Sequence, residues 1–309
     1  MTCHSLRSGC KINLYLRIGE RLADGYHRIE SLFMPLRDPY DILEVRQGKT
    51  HSQGIRTSFF IMQHGSRLPC RFINTECNTL TRAYAWYADQ TGFSPSLDIS
   101  IVKDVPTGGG LGGGSANAAA LLRHLNSEAL RLGLNGLEED ALMAGAKAVG
   151  ADVPFFLLNR LSYVSGIGEV VRPLDVPLPG RSLLLVCPPL SVSTAWAFSA
   201  LDAAREKNKK FLSAENSLTS QGHQATNSPL VGWIQAGNDF EEIVFARYPL
   251  LCRLKQELLA HGAALARMSG TGASMFAFFQ DNAVAKKTAE KIANDGVRVY
   301  IQRASDAGV

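Results

Sequence analysis

The stretch from Pro106 to Asn117 is the part of this chain whose residue types point most directly to chemistry. Six glycines occupy positions 108–114, interrupted only by Leu111, and an alanine-rich helical pattern follows at once. Glycine loses the most conformational freedom on folding, so a dense run suits a place where backbone approaches a ligand closely. The N–H groups at a helix start and the positive end of its dipole bind anions. We therefore predict a phosphate-binding loop, with the Ser115 hydroxyl near the phosphates or their metal.

Two common phosphate loops fit this stretch poorly. A P-loop has a lysine directly after its last glycine, whereas Ser115 follows Gly114 here. The dinucleotide-binding spacing is met by Gly108, Gly110 and Gly113, but a run of glycines satisfies almost any glycine spacing. A flexible linker is a further alternative, although linkers do not normally separate a strand pattern from a helix pattern. The remaining alternative is a loop that binds nucleotide phosphates mainly through its backbone.

The composition describes a globular protein with a large core. The chain has 309 residues, of which 46% are apolar and 19% charged, and this length favours two domains. The net charge of +4 suits anionic small molecules and does not require nucleic acid. Six scattered cysteines without a Cys-x-x-Cys pair argue against a zinc site or a disulfide framework. No apolar run reaches membrane-spanning length. We expect a cytoplasmic monomer or homodimer without a nucleic-acid or membrane partner.

Hydropathy patterns predict helices and strands in irregular alternation, which is typical of α+β layers. Three prolines and a glycine between Pro173 and Arg181 mark a candidate border between domains 1–175 and 176–309. Residues 47–70 are ambiguous, and the polar residues 206–232 predict an exposed loop. The predicted strands are Ile12–Ile18, Arg28–Leu36, Asp41–Arg46, Leu97–Val102, Ser182–Val186, Ala263–Met268, Ser274–Phe279 and Val297–Gln302. The predicted helices are Asn78–Gln90, Ala116–Gly133, a segment from Leu137 to near Gly150, Thr194–Arg205, Phe240–Arg247, Leu250–His261 and Ala283–Asp295.

Two charged residues could add chemistry to the glycine loop. Lys11 lies beside a predicted strand, with Asn13 two residues on and therefore on the same face. Asp152 lies at a helix end before an apolar run. A solvated strand edge and a turn residue are the ordinary alternatives for them. The small-residue turn 269–274 could bring further N–H groups to an anion, or it could be a plain hairpin turn.

Several of these segments, taken in order, resemble the GHMP kinases, the family of galactokinase and of homoserine, mevalonate and phosphomevalonate kinases. The glycine loop resembles the family's phosphate loop, and residues 11–16 and 269–273 resemble its other two motifs. More narrowly, residues 23–27 (Ala-Asp-Gly-Tyr-His), 150–154 (Gly-Ala-Asp-Val-Pro) and the doubled glycine triplet resemble the branch that acts on a cytidine diphosphate-linked methylerythritol. The resemblance covers essentially the whole chain.

The resemblance implies an α+β fold with a two-domain GHMP kinase architecture. The N-terminal domain would be like ribosomal protein S5 domain 2, and the C-terminal domain would be ferredoxin-like. ATP and substrate would meet in the cleft between them. The implied reaction moves the γ-phosphate of ATP, accompanied by Mg²⁺, to the 2-hydroxyl of the methylerythritol unit in non-mevalonate isoprenoid biosynthesis. No side chain is assigned as a Mg²⁺ ligand.

The resemblance also implies roles for individual residues. Asp152 would be the catalytic carboxylate, which takes or orients the proton of the attacking alcohol. Lys11 would be the catalytic lysine, which keeps that carboxylate ionised and favours a developing alkoxide. The triphosphate of ATP would bind to Pro106, Thr107, Gly108, Gly109, Gly110, Leu111, Gly112, Gly113, Gly114, Ser115 and Ala116.

The substrate-binding residues implied in the same way are Asn13, Tyr26, His27, Thr194 and Phe198. Tyr26 would stack on the cytosine, His27 would hydrogen-bond to its edge, and Phe198 would complete an aromatic sandwich. These aromatic residues favour a cytosine-bearing substrate over the main alternative, a homoserine or mevalonate type of kinase. A non-catalytic nucleotide-binding regulator is disfavoured because Lys11 and Asp152 are both present.

Overall fold

The computed structural model describes residues 3–48, 54–63, 66–69, 76, 78–174, 178–212, 237–293 and 296–306. The strands in these ranges form a seven-stranded sheet and a four-stranded sheet, each packed against helices. This arrangement confirms the predicted α+β class. No helix in these ranges has both the length and the apolar character needed to cross a membrane.

The first sheet is organised around a long antiparallel hairpin, β1 (Cys3–Arg21) and β2 (His27–Gln47). The turn predicted at residues 23–26 joins its strands. The two strands predicted for residues 28–36 and 41–46 form one, because β1 pairs with β2 along nearly its whole length. The remaining strands of this sheet are β3 (Gly54–Gln63), β4 (Ser66–Pro69), β5 (Ser96–Lys103), β6 (Ser162–Ser165) and β7 (Val170–Pro173).

Four helices pack on the first sheet: α1 (Thr79–Thr91), α2 (Gly113–Arg131), α3 (Glu139–Ala146) and α4 (Val153–Leu158). The buried face of α2 is rich in alanine, which lets the helix lie close to the sheet. The single helix predicted from Leu137 to near Gly150 ends earlier, at Ala146. A separate helix follows after Gly150, with Pro154 in its first turn, a position that proline favours.

The second sheet is fully antiparallel and contains β8 (Ser182–Cys187), β9 (Leu265–Met268), β10 (Met275–Phe279) and β11 (Arg298–Arg303), in the spatial order β11-β8-β10-β9. Its helices are α5 (Thr194–Leu212), α6 (Glu241–Arg247), α7 (Pro249–Ala260) and α8 (Asn282–Ile292). The chain order is strand, helices, two strands, helix and strand, which is the ferredoxin-like pattern. Helix α5 continues to Leu212, so residues 206–212 of the predicted loop are helical. Residues 213–232 of that prediction lie outside the described residues.

The two sheets share part of their core. Ile12 of β1 and Met34 of β2 lie in one apolar cluster with Leu183 of β8 and Phe276 of β10. Further along, β1 also contributes Leu16 to the core of the second sheet. The hairpin therefore supports both layers. The domain border between residues 175 and 176 stays a prediction. Of the six cysteines, Cys70 and Cys77 lie outside the described residues.

Candidate active site

The glycine loop connects β5 to α2 and ends in the first turn of that helix. Helix α2 begins at Gly113, three residues earlier than predicted, and Gly112 occupies its N-cap with a φ of 71°. Gly112 has no side chain with which to cap the helix, so the N–H groups of the first turn suit an anionic ligand. The Lys103 ammonium lies beside this turn, since a Cβ placed on Gly113 would lie 3.4 Å from its Nζ.

The small-residue turn between β9 and β10 packs directly on this loop. The N–H of Ser274 donates to the carbonyl of Gly109 at 3.2 Å, and the Ser269 hydroxyl donates to the carbonyl of Gly110 at 3.0 Å. Gly110 has a φ of 75°, and a Cβ there would overlap the carbonyl oxygen of Ser269. Only glycine therefore fits at position 110.

Lys11 and Asp152 meet in the cleft beside the loop. The Nζ of Lys11 lies 3.7 Å from Oδ2 of Asp152, 4.3 Å from the centre of the Phe33 ring, and donates to Oδ1 of Asn13 at 2.6 Å. Lys11 is buried within β1, whereas Asp152, directly before α4, keeps 28% of its side chain exposed. Burial lowers the pKa of Lys11, and the negative charge of Asp152 partly offsets that effect. The pair combines a sheltered cation with a carboxylate that a ligand can reach.

Asn13 links the three segments that form this part of the cleft. Its backbone N–H donates to Oγ of Ser269 at 3.2 Å, and its amide nitrogen donates to Oγ of Ser31 at 2.9 Å. The backbone N–H of Lys11 also donates to the carbonyl of Leu111 in the glycine loop, at 2.9 Å. These bonds hold the Lys11 ammonium at a fixed position relative to the loop.

Asp41, which the sequence analysis did not single out, fixes the entry to the glycine loop. Its fully buried carboxylate accepts backbone N–H groups from Asp104 at 3.0 Å and Val105 at 2.9 Å. It also accepts the amide of Asn117 at 2.9 Å and forms an ion pair with Lys103. Nothing in the sequence distinguishes it from the other acidic residues of the same strand, Glu30, Asp38 and Glu44.

The residues predicted to recognise cytosine lie where the hairpin turn faces α5. Tyr26 is 58% exposed in the turn, and His27 is buried at the start of β2. The ring of His27 lies 4.9 Å from that of Phe198, and its Nε2 lies 2.8 Å from Oδ1 of Asp202. Asp202 was missed by the sequence analysis, because nothing in the sequence marks it out from other surface carboxylates on a helix.

Thr194 and Phe198, both on α5, connect this region with the rest of the cleft. The Thr194 hydroxyl lies 3.3 Å from that of Thr271, in the turn that packs on the glycine loop. Phe198 also packs on Phe240, with ring centroids 4.9 Å apart. The pairing of Tyr26 with Phe198 around a base stays a prediction.

One cleft of about 600 Å³ brings most of the predicted site residues together. Its walls include Lys11, Asn13, Asp152, the loop from Pro106 to Ser115, and the α5 residues Thr194 and Phe198. Tyr26 and His27 do not line this cleft. Ala116 lies on the buried face of α2, so it can face a ligand only through its backbone.

Comparison with known proteins agrees with this geometry. Residues 78–160 match the family model described as the GHMP kinases N terminal domain, and residues 217–298 match the GHMP kinases C terminal model. A 4-diphosphocytidyl-2-C-methyl-D-erythritol kinase of Nitratidesulfovibrio vulgaris (strain Hildenborough) is 46% identical over 297 residues, which cover 96% of this chain and 97% of the relative. The kinase of the same name from Solidesulfovibrio magneticus is 38% identical and covers 94% of each chain.

Solved structures give the same result. A crystal structure of 4-(cytidine 5'-diphospho)-2C-methyl-D-erythritol kinase matches with a TM-score of 0.70 and 25% identity, over 99% of this chain and 100% of the other. A homoserine kinase from Cytophaga hutchinsonii matches with a TM-score of 0.62 at 18% identity, over 96% and 94% of the two chains, and shares the fold. The two family models and the relatives together show that the chain belongs to the GHMP kinase family.

Proposed function

We propose that this kinase uses ATP to phosphorylate the 2-hydroxyl of 4-diphosphocytidyl-2-C-methyl-D-erythritol, a step in non-mevalonate isoprenoid precursor biosynthesis. The observation that carries the proposal is the 3.7 Å Lys11–Asp152 pair beside the glycine loop, in a chain whose relatives bear that kinase's name over nearly their whole length. Within the same proposal, the reaction takes place in the cytoplasm, where thiols stay reduced, and the enzyme is a monomer or a homodimer.

The residues around the loop fit a triphosphate. Orphan N–H groups of the first turn of α2 would donate to phosphate oxygens, and the Lys103 ammonium lies beside that turn. Positive φ angles at Gly108, Gly110 and Gly112 give the backbone its close curve. Binding of the triphosphate would therefore depend on backbone N–H donors and would need few side chains.

The same cleft offers oxygen groups that suit Mg²⁺. The Ser115 hydroxyl borders the turn that carries Asp152, since a Cβ on Gly150 would lie 3.8 Å from its Oγ. Mg²⁺ binds oxygen ligands and keeps several waters, so the Ser115 hydroxyl with phosphate oxygens would be enough to hold it. When bound, the ion would neutralise charge that develops on the phosphates.

Asp152 is the group placed to handle the proton of the substrate alcohol. Its carboxylate is partly open to the cleft, so a hydroxyl can donate to it and become oriented for attack. Lys11 keeps the carboxylate in place and stabilises negative charge on the attacking oxygen. Phosphoryl transfer depends mostly on positioning and charge stabilisation, so these two groups and the loop cover its main requirements.

His27 and Phe198 supply a polar edge and an aromatic face for the cytosine ring. The Asp202 carboxylate accepts a hydrogen bond from Nε2 of His27. A neutral His27 therefore carries its proton on Nε2, and Nδ1 is left as a hydrogen-bond acceptor. Cytosine presents an exocyclic amine that donates. The exposed Tyr26 is free to stack on the ring without loss of core packing.

A coupled assay of ADP release tests this function. The purified protein is incubated with ATP, Mg²⁺ and one of three alcohols: the cytidine substrate, mevalonate or homoserine. We expect turnover with the cytidine compound and at most background rates with the other two. Turnover of mevalonate or homoserine without turnover of the cytidine compound would contradict the proposed substrate while keeping the kinase class.

A further inference from the structure

Two histidines and a glutamate lie together at the end of α2 that is remote from the glycine loop. His124 and Glu128 are one helical turn apart on α2, and His4 comes from the start of β1. One possible ligand atom from each of the three side chains lies within 4.8 Å of the others. Among the described residues, no second group of three His, Cys, Asp or Glu side chains has ligand atoms this close together.

The chemistry of the cluster is that of a transition-metal site. Residues at positions i and i+4 of a helix face the same side, which aims His124 and Glu128 at one point. Imidazole and carboxylate are the common ligands of zinc, and three protein ligands leave the fourth position for water. The rings of His4 and His124 are tilted by 51° with centroids 4.9 Å apart. They therefore do not stack face to face, and a small rotation of each can bring one nitrogen from each ring to a shared ion.

The surroundings leave room for an ion and its water. A cavity of about 270 Å³ is lined by all three side chains, together with apolar residues such as Pro95 and Leu132. Ligand atoms around tetrahedral zinc lie about 3.3 Å apart, given bonds of about 2.0–2.1 Å to nitrogen. The ligand atoms therefore have to approach one another by up to about 1.5 Å, which rotation of the side chains can supply.

Arg131 is the group that competes for Glu128. Its Nη2 lies 2.7 Å from Oε2, whereas the shortest contact to Oε1 is 3.2 Å from Nε. The Arg131 side chain is 64% exposed, and an exposed ion pair of this kind contributes little to stability. A bound cation can therefore use Oε1, or replace the guanidinium as the positive partner of Glu128.

We propose that His4, His124 and Glu128 bind one divalent transition-metal ion of the zinc type. His124 lies eleven residues beyond Gly113, or about 16 Å along the helix at 1.5 Å per residue, so the site is separate from the nucleotide cleft. The ion would tie together β1, which carries Lys11, and α2, which begins at the glycine loop. This inference does not depend on the proposed function.

Calorimetric titration of the full chain with ZnCl₂, without nucleotide, tests the site. We expect one equivalent of zinc to bind, and Glu128→Gln, His124→Ala and His4→Ala each to weaken binding by about tenfold or more. The matched control is His261→Ala, an exposed histidine at the end of α7, which should bind like the unchanged protein. Cys3→Ser is a second control, because the exposed thiol of Cys3 is the neighbour of His4.

Three results would overturn the proposal. The first is zinc binding by the unchanged protein no stronger than that of a variant carrying His4→Ala, His124→Ala and Glu128→Gln together. The others are equal binding by Glu128→Gln and the unchanged protein, and loss of binding in Cys3→Ser while the three ligand variants still bind. Circular dichroism confirms that each variant is folded. If His124→Ala does not fold, the surface variants Glu128→Gln and His4→Ala decide the outcome. Zinc should also raise the melting temperature of the unchanged protein, and not that of Glu128→Gln.

Discussion

The Nε2 of His27 lies 2.8 Å from Oδ1 of Asp202, so a hydrogen bond joins the start of β2 to the middle of α5. This bond crosses from the hairpin of the first sheet to a helix of the second. It fixes the orientation of an imidazole that also packs on Phe198. Asp202 therefore acts on the proposed cytosine site through His27, without being required to touch the base.

Replacing Asp202 should affect the cytidine substrate selectively. Asp202→Ala removes the acceptor and frees the His27 ring, and a lost bond to a charged group costs about 1.5–3 kcal/mol. We expect the KM for the cytidine substrate to rise about tenfold or more, with the KM for ATP and kcat nearly unchanged. Asp202→Asn keeps an acceptor oxygen and should restore part of the loss.

Asp89→Ala, on the exposed face of α1, is the matched control and should leave both KM values unchanged. Equal weakening of ATP and cytidine substrate in Asp202→Ala would show that the residue supports the fold and not the orientation of His27.

Asp152→Asn should separate chemistry from nucleotide binding. The amide cannot take the proton of the alcohol, and loss of a general base typically lowers kcat by about 10²–10⁴-fold. The glycine loop is untouched, so calorimetry should find ATP affinity within about threefold of the original, a change under 1 kcal/mol. Asp140→Asn, in the exposed first turn of α3, controls for loss of a carboxylate. Near-normal kcat in Asp152→Asn would remove Asp152 from its proposed role.

Lys11→Met should abolish most activity, and its stability relative to the unchanged protein should fall as pH rises. Burial lowers the pKa of Lys11, so the folded protein binds this proton less tightly than the unfolded chain. The charged form therefore opposes folding at neutral pH, and this penalty fades as pH rises from the folded-state pKa towards the unfolded value of about 10.4. Methionine removes the buried charge at similar volume but leaves Oδ1 of Asn13 without its donor, and this cost does not depend on pH in this range.

Urea unfolding of both proteins at about pH 7 and about pH 10 measures the effect. The stability of Lys11→Met relative to the unchanged protein should be highest at the lower pH and decrease at the higher one. Lys286→Met, on the exposed face of α8, should show no such dependence. A relative stability of Lys11→Met that grows with pH would contradict the lowered pKa of Lys11. A retained kcat would contradict its catalytic role.

Gly110→Ala should disrupt the contact between the glycine loop and the turn at Ser269. Two costs add at this position: a positive φ, worth about 1–2 kcal/mol for a residue with a Cβ, and overlap with the Ser269 carbonyl oxygen. The control is Gly133→Ala, which has a φ of 72° but nothing within 4 Å of the added Cβ. Denaturant unfolding should show a clearly larger loss for Gly110→Ala, together with a higher KM for ATP. Equal losses in the two variants would mean that close packing on the turn is unimportant.

The glycine loop, Lys11 and Asp152 could be singled out because each lies in a short motif with a local signal, whereas Thr194 and Phe198 were implied by the resemblance to the GHMP kinases. The glycines indicate a place where the backbone approaches a ligand closely. The position of Asp152 between Gly150 and Pro154 indicates a turn that leads into a helix. Predicted strand and helix positions were mostly right for the same reason, since apolar periodicity is local. These patterns can be interpreted without knowing which residues pack against the segment in the folded protein.

The features that the sequence did not reveal depend on distant partners. Asp41 matters because two separate segments, residues 103–105 and the start of α2 at Asn117, converge on its carboxylate. Asp202 matters because α5 brings it to His27. The short strands β6 and β7 were missed, since four residues each leave little periodicity to detect. Strand β2 is continuous because β1 pairs along it, and no pattern within residues 37–40 predicts that.

The apolar cluster that the hairpin shares with the four-stranded sheet ties the folding of the two halves together. A fragment ending near residue 175 would leave Ile12 and Met34 facing water, and a fragment beginning there would expose Leu183 and Phe276. Gene fragments cut at that border are therefore poor candidates for separate expression. Heating should melt the whole protein in one cooperative transition, so a ligand held on either side of the cleft protects both halves from proteolysis.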